Sequence, residues 1–340
     1  MEKNRDYQLA VRENRASWLP PEEAELSPAV RHILARFAAA KRYDPDVSPE
    51  ERRRSHEEAF LLLGLPDQQV TFATEFSIQR DGEPLRVRLY RPRGCTRPPP
   101  VLIYFHGGGM TVGSLEQYDS LCQRLCEQSG VAIISVDYSL SPEKPYPAAV
   151  NDAWFSLLWA MANGTALGLD ASQLSVGGDS AGGNLAAVMT LMARDEGFPE
   201  LQFQLLIYPA VGTKGLSSSM EAFEKGYLFE KDDLEVIYSQ YLQCNEEIDN
   251  WQISPLLAKD HSGLPPAFVI SAQYEIMRDD IEEYAAVLRR AGVSVELIRY
   301  DGMIHPFLNM AGVIPEGAAA IDDCAARLKA GATTVRKCSG

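Results

Sequence analysis

The sequence predicts an α/β fold, a mostly parallel central sheet of eight strands flanked by helices. Three observations carry this. Compact apolar runs alternate with helical segments, a hairpin precedes them, and a glycine-rich turn joins one apolar run directly to the next helix. Apolar runs without polar alternation mark strands covered on both faces, which is how parallel sheets bury themselves. Regular alternation of strand and helix then selects the α/β class.

Taken in order, residues 1–64 are charge-rich with helical spacing, as in Val30, Ile33, Leu34 and Phe37, and Ser27-Pro28 is a start signal. Val70–Ile78 and Leu85–Tyr90 alternate like strands around the turn Arg80-Asp81-Gly82-Glu83. The buried strands expected next are Val101–Phe105, Val131–Val136, Leu174–Val176, Phe203–Tyr208, Ala267–Ser271 and Val293–Arg299. Helices are expected at 115–129, 147–163, 181–195, 278–291 and 316–331. Residues 212–250 interrupt the alternation: Lys214–Ser219 reads as loop and Glu230–Gln243 as an amphipathic helix. Together with the N-terminal helices this insertion is expected to cover the carboxyl edge of the sheet, where ligands of such sheets bind.

The 340 residues carry a net charge of −15, unevenly spread. Residues 1–100 hold 17 basic and 16 acidic side chains, and the remainder 15 and 31. An acidic body excludes nucleic acid and anionic membrane surfaces as expected partners and does not repel a neutral small molecule. The first twenty residues contain no apolar signal segment, and no apolar run approaches the length of a membrane span. Six scattered cysteines without a metal-ligand spacing read as reduced thiols, so a cytoplasmic protein with no metal and no cofactor is expected.

The chemistry is carried by Gly-Gly-Asp-Ser-Ala-Gly-Gly-Asn at 177–184, set between a strand and a helix. A serine there sits on a turn so tight that its flanking glycines, Gly178 and Gly182, must lack Cβ, and its hydroxyl stands clear of the backbone. Ser180 is therefore the nucleophile candidate. A base and an orienting acid must follow. His305, in a loop after the last strand, is the base candidate, because His32 and His56 lie in charged helices, His106 precedes glycines and His261 sits in a polar loop. Glu275, Asp279 and Asp280 compete as the acid. Glu275 comes first after its strand and is assigned, whereas Asp279 and Asp280 read as first-turn residues of the next helix. Gly107, Gly108 and Gly109 follow strand Val101–Phe105, and their N–H groups with that of Ala181 are expected to form an oxyanion hole. His106 is expected to brace that loop.

These residues resemble the hormone-sensitive-lipase-like family of carboxylesterases. His106–Gly109 is similar to its HGGG motif and Gly178–Gly182 to its GDSAG motif. Asp137-Tyr138-Ser139-Leu140-Ser141-Pro142-Glu143 with Tyr146-Pro147-Ala148-Ala149, Ser254-Pro255-Leu256 and Leu264-Pro265-Pro266-Ala267 also match, over about residues 70–310. The resemblance implies an α/β-hydrolase fold, with a catalytic domain over 65–335 and a helical cap from residues 1–64 and 212–250. It also implies cofactor-free hydrolysis of short- to medium-chain esters, frequent homodimers, and Ser180, Glu275 and His305 as the triad. Gly108, Gly109 and Ala181 become the oxyanion donors, with Gly107 adjacent. Where the family has Asp-Pro-Leu-Arg-Asp, this chain has Glu275-Ile276-Met277-Arg278-Asp279, so a glutamate occupies the acid's position. Plant hormone receptors that resemble the family lack the base; His305 argues against that role here.

Overall fold

The computed structural model describes residues 25–37, 47–66, 72–80, 82–212 and 217–333. Val70 and Thr71 of the expected first strand, Asp81 of the expected turn, and residues 214–216 of the expected loop lie outside them, as do residues 1–24, 38–46 and 334–335 of the expected domains.

Eight strands form one sheet: β1 Phe72–Ile78, β2 Leu85–Arg91, β3 Val101–Phe105, β4 Ala132–Val136, β5 Leu174–Asp179, β6 Leu201–Ile207, β7 Ala267–Tyr274 and β8 Val295–Ile304. Their order is β1-β2-β4-β3-β5-β6-β7-β8. Only the pairings β1–β2 and β2–β4 are antiparallel. Strands β3, β4, β5 and β6 are buried at every position, as expected of parallel strands covered on both faces. Helix α3 (Asp119–Ser129), α4 (Ala148–Asn163), α5 (Ala181–Asp195), α8 (Arg278–Arg290) and α9 (Pro315–Thr333) flank the sheet. α3 and α9 pack together, and Arg124 grips Asp322 through Nε and Nη2 at 2.7 and 2.8 Å.

Ahead of the sheet stand α1 (Pro28–Phe37) and α2 (Pro49–Leu63). Ser48 caps α2 by accepting the Glu51 N–H at 3.2 Å, and Pro49 fills the first turn, where no donor is needed. The insertion after β6 contains α6 (Ser218–Ala222) and α7 (Lys231–Tyr241), the latter opened by a reciprocal capping box of Glu230 and Asp233. No helix among the described residues is long and apolar enough to cross a membrane.

The topology puts the chemistry at one edge. Strand β3 has β4 on one side and β5 on the other, both parallel to it, so the chain reverses its winding there. A crevice opens at such a reversal, at the carboxyl ends of the strands. Phe105 ends β3 opposite Gly178 of β5, so the glycine loop and the Ser180 turn emerge side by side. Likewise β7 ends at Tyr274, opposite Ile304 at the end of β8, and the next residues are Glu275 and His305. The last strand thus runs five residues past the expected Arg299. Asp301 and Gly302 disguise it in the sequence, because Gly302 sits at φ 75° where the β7–β8 register shifts.

Candidate active site

Ser180 occupies a strained turn, φ 54° and ψ −118°, between β5 and α5. The strain is held by packing on every side. A Cβ on Gly182 would lie 1.9 Å from the Phe105 carbonyl oxygen, and one on Gly178 would lie 2.3 Å from the same atom. The Ser180 N–H donates to the Ile207 carbonyl at 2.9 Å, and its own carbonyl accepts from Ala210 at 3.1 Å. Side-chain Nδ2 of Asn184, one turn into α5, donates to the Ala210 and Ile253 carbonyls at 2.6 and 2.7 Å.

His305 Nε2 lies 3.1 Å from Ser180 Oγ, and His305 Nδ1 lies 2.9 Å from Glu275 Oε2. The other carboxylate oxygen of Glu275 accepts the Ala272 N–H at 2.8 Å. All three side chains are buried. The imidazole is clamped between Tyr208, edge-on at 4.7 Å between centroids, and Phe229 at 5.0 Å. With Nδ1–H given to the carboxylate, Nε2 faces the serine as an acceptor.

The two competing acids are elsewhere. Asp279 Oδ2 accepts the Ser219 N–H at 3.0 Å, its N–H donates to Ser219 Oγ at 3.1 Å, and its Oδ1 pairs with Arg278. Asp280 packs beside Gly212. Asp279 thus ties α6 to the start of α8.

In the glycine loop, Gly108 and Gly109 turn through φ 118° and 61°, and with Ala181 they line the same cavity as Ser180 and His305. The N–H groups of Gly108 and Gly109 donate to no group among the described residues. That of Ala181, first in α5, belongs to the helix-end donors that have no partner inside their helix. The expectation for Gly107 needs correction: its N–H is spent inside the protein, at 2.9 Å from Asp179 Oδ1 and 3.0 Å from the Tyr118 hydroxyl. His106 does brace the loop. Its ring stacks on Tyr138 at 4.3 Å, Nδ1 reaches the Gly107 carbonyl oxygen at 2.7 Å, and the Tyr138 hydroxyl donates to the His106 carbonyl at 2.7 Å. Burial lowers its pKa and keeps the ring neutral.

Asp179, part of the GDSAG motif, has a role that the sequence pattern does not assign. Fully buried, it accepts from the Tyr104 hydroxyl at 2.9 Å and the Tyr118 hydroxyl at 2.8 Å as well as from Gly107. Its place between Gly178 and Ser180 carries no signal for this in the sequence, because its partners come from distant segments.

The site floors a cavity of about 510 Å³. Its far wall is made by α2, through Ser55, His56 and Phe60, and by α7, through Leu234, Ile237 and Tyr241. The spacing within α7 is one face of a helix. Ile237 presses closest to the chemistry, since a Cβ on Gly109 would fall 2.4 Å from its Cδ1.

Comparison with known proteins agrees with this architecture. The profile of an α/β hydrolase fold family matches residues 102–309. The carboxylic ester hydrolase LipN of Mycobacterium tuberculosis is 37% identical over 285 residues, 82% of this chain and 75% of the relative. The ethyl acetate hydrolase of Pseudomonas putida is 35% identical over 270 residues, 78% of this chain and 85% of the relative. Among solved structures, the hyperthermophilic esterase of the archaeon Pyrobaculum calidifontis superposes with a TM-score of 0.84 at 39% identity, covering 90% of this chain and 98% of its own. A profile spanning most of the sheet and relatives aligned over most of their length leave one reading of descent: the chain belongs to the α/β-hydrolase family, within its hormone-sensitive-lipase-like carboxylesterases.

Proposed function

We propose that this chain is a serine carboxylesterase that hydrolyses short- to medium-chain esters through an acyl-enzyme intermediate. The observation that carries the reading is the unbroken chain of hydrogen bonds Glu275–His305–Ser180 on the floor of a mostly apolar cavity. His305 Nε2 takes the Ser180 proton as Oγ attacks the ester carbonyl. Glu275 holds the Nδ1 tautomer and stabilises the imidazolium that forms. The oxygen of the tetrahedral intermediate rests on the N–H groups of Gly108, Gly109 and Ala181, each such donor contributing on the order of 3 kcal/mol to the transition state. His305 then protonates the leaving alcohol, activates water, and the acyl group leaves as acid. Every group used is the chain's own, so the proposal includes no cofactor or metal.

The acyl range follows from the wall. Helices α2 and α7 bound a cavity with room for a small ester and few polar groups to hold one, and these helices are the cap of the proposal. Among the described residues Cys95, Cys122, Cys126, Cys244 and Cys324 are free thiols, which supports a reducing compartment such as the cytoplasm for the proposed enzyme. The test is a series of p-nitrophenyl esters of increasing acyl length, with Ser180→Ala as the control. Burst release of nitrophenol that vanishes in Ser180→Ala, with turnover falling off for long acyl chains, is expected. Turnover that persists in Ser180→Ala would remove the nucleophile from the proposal.

A further inference from the structure

Three successive residues of the glycine loop, Gly108, Gly109 and Met110, stand at positive φ, 118°, 61° and 60°. Met110 carries a Cβ, so this backbone is strained and persists only where the surroundings hold it. The loop holds itself in part, since the N–H groups of Thr111 and Val112 both converge on the Gly108 carbonyl at 3.0 Å. A further restraint comes from a residue in the N-terminal segment. Arg53, on α2, donates from Nε to the Thr111 carbonyl at 2.9 Å and from Nη2 to the Ser141 carbonyl at 2.9 Å. Its Nη1 meets Glu143 Oε1 at 2.9 Å. Ser141 in turn donates its N–H to the Met110 carbonyl at 2.8 Å. The result is a closed bracket: Arg53 to Thr111, through the strained Met110, to Ser141, and back to Arg53.

The same face of α2 makes further contacts with the loop. One turn beyond Arg53, His56 Nδ1 lies 3.2 Å from Gln117 Oε1, and Glu57 accepts from the Ser114 hydroxyl. These contacts fasten the helix at Ser114 and Gln117, whereas Arg53 bonds the Thr111 carbonyl, directly after the strained Met110. A guanidinium suits that place, because its planar fork serves two carbonyls and a carboxylate together, which a lysine ammonium on a flexible stem does not.

We infer that Arg53 is a positioning residue that fixes the Gly108 and Gly109 N–H groups in register with the oxyanion of the tetrahedral intermediate formed on Ser180. The inference rests on the esterase reading above. It makes α2 part of the catalytic scaffold as well as the cavity wall: what holds the loop's strain is a side chain more than fifty residues away.

The test compares wild type, Arg53→Ala, Arg53→Lys and Glu143→Gln on p-nitrophenyl butyrate. Each protein is also titrated with an alkyl trifluoromethyl ketone, which forms an oxyanion on a catalytic serine, and with the matching non-fluorinated ketone. For Arg53→Ala, kcat is expected to fall about 10–100-fold with KM within about threefold, because only transition-state contacts are lost. Affinity for the fluorinated ketone falls in step, that for the plain ketone does not, and added guanidinium restores part of kcat. Glu143→Gln, which keeps both carbonyl contacts, stays within about threefold of wild-type kcat. An Arg53→Ala enzyme with wild-type kcat, a loss confined to KM, or unchanged affinity for the fluorinated ketone would overturn the role. Should Arg53→Ala fail to fold, Arg53→Lys is read by the same criteria, and wild-type kcat there overturns it equally. A wild-type protein without ester turnover would instead overturn the esterase reading, and with it this one.

Discussion

The carboxylate of Asp179 accepts the Gly107 N–H at 2.9 Å, so the residue before Ser180 anchors the first glycine of the facing loop. Tyr104, Tyr118 and Asn309 converge on the same carboxylate, the last at 3.4 Å. Burial pushes its pKa upward, and the two tyrosine bonds push back. The donors offset the cost of a buried charge, which joins nucleophile turn and oxyanion loop into one unit.

Asp179→Asn is expected to break this unit while keeping its shape, because the amide presents its own donors to groups that are already donors. A loss of about 1–3 kcal/mol of stability is expected, with a fall of roughly tenfold or more in kcat. Urea unfolding and steady-state kinetics measure the two. Wild-type values in both would mean the carboxylate does not hold the loop.

The proposed triad acid can be separated from its competitors. Glu275→Gln leaves the size unchanged, but its one remaining oxygen is claimed by the Ala272 N–H, so an NH2 donor faces the imidazole Nδ1 and kcat should drop by about 10³–10⁴-fold. Asp279→Asn should keep activity within about threefold and register as a loss of stability, since its bonds to Ser219 are structural. The opposite pattern would transfer the role to Asp279.

Gly182→Ala tests the tight turn directly. Its methyl would sit 1.9 Å from the Phe105 carbonyl oxygen, which is backbone of a buried strand and has no room to yield. A destabilisation of about 3 kcal/mol or more is expected, visible in the urea midpoint or as insoluble protein. A soluble variant of normal stability and turnover would contradict the packing described.

His56 predicts a pH dependence. Its enclosure in the cavity wall lowers its pKa from 6.5 to about 4, opposed by the bond to Gln117, with His106 adding a small push in the same downward direction. The folded protein therefore favours the neutral ring. Its contribution is complete above pH 6.5 and is lost as pH falls toward 4, amounting to roughly 3 kcal/mol at most. Urea midpoints at pH 7, 5.5 and 4.5 should fall less steeply for His56→Gln than for wild type. Parallel curves would exclude the effect.

Much of this was legible before any coordinates. Apolar runs such as Leu102-Ile103-Tyr104 and helical spacing such as Leu185, Val188 and Met189 are local patterns, and local patterns survive in one dimension. The last strand extends past its expected end at Arg299 to Ile304, and only the neighbouring β7 shows that pairing continues beyond Asp301 and Gly302. Gly107 was misread for a related reason. Its type and position are those of an oxyanion donor, and what removes it is Asp179, seventy-two residues away.

By itself the sequence determined the fold class and the candidates for the chemistry: a serine between glycines that cannot carry a Cβ, a histidine and a glutamate each following a strand. Tertiary structure alone decided which amide faces the cavity, which acid faces the imidazole, and that Arg53 braces the loop. Residue types and spacings are properties of the chain, whereas the direction of an N–H or a carboxylate is settled by partners that folding brings from elsewhere.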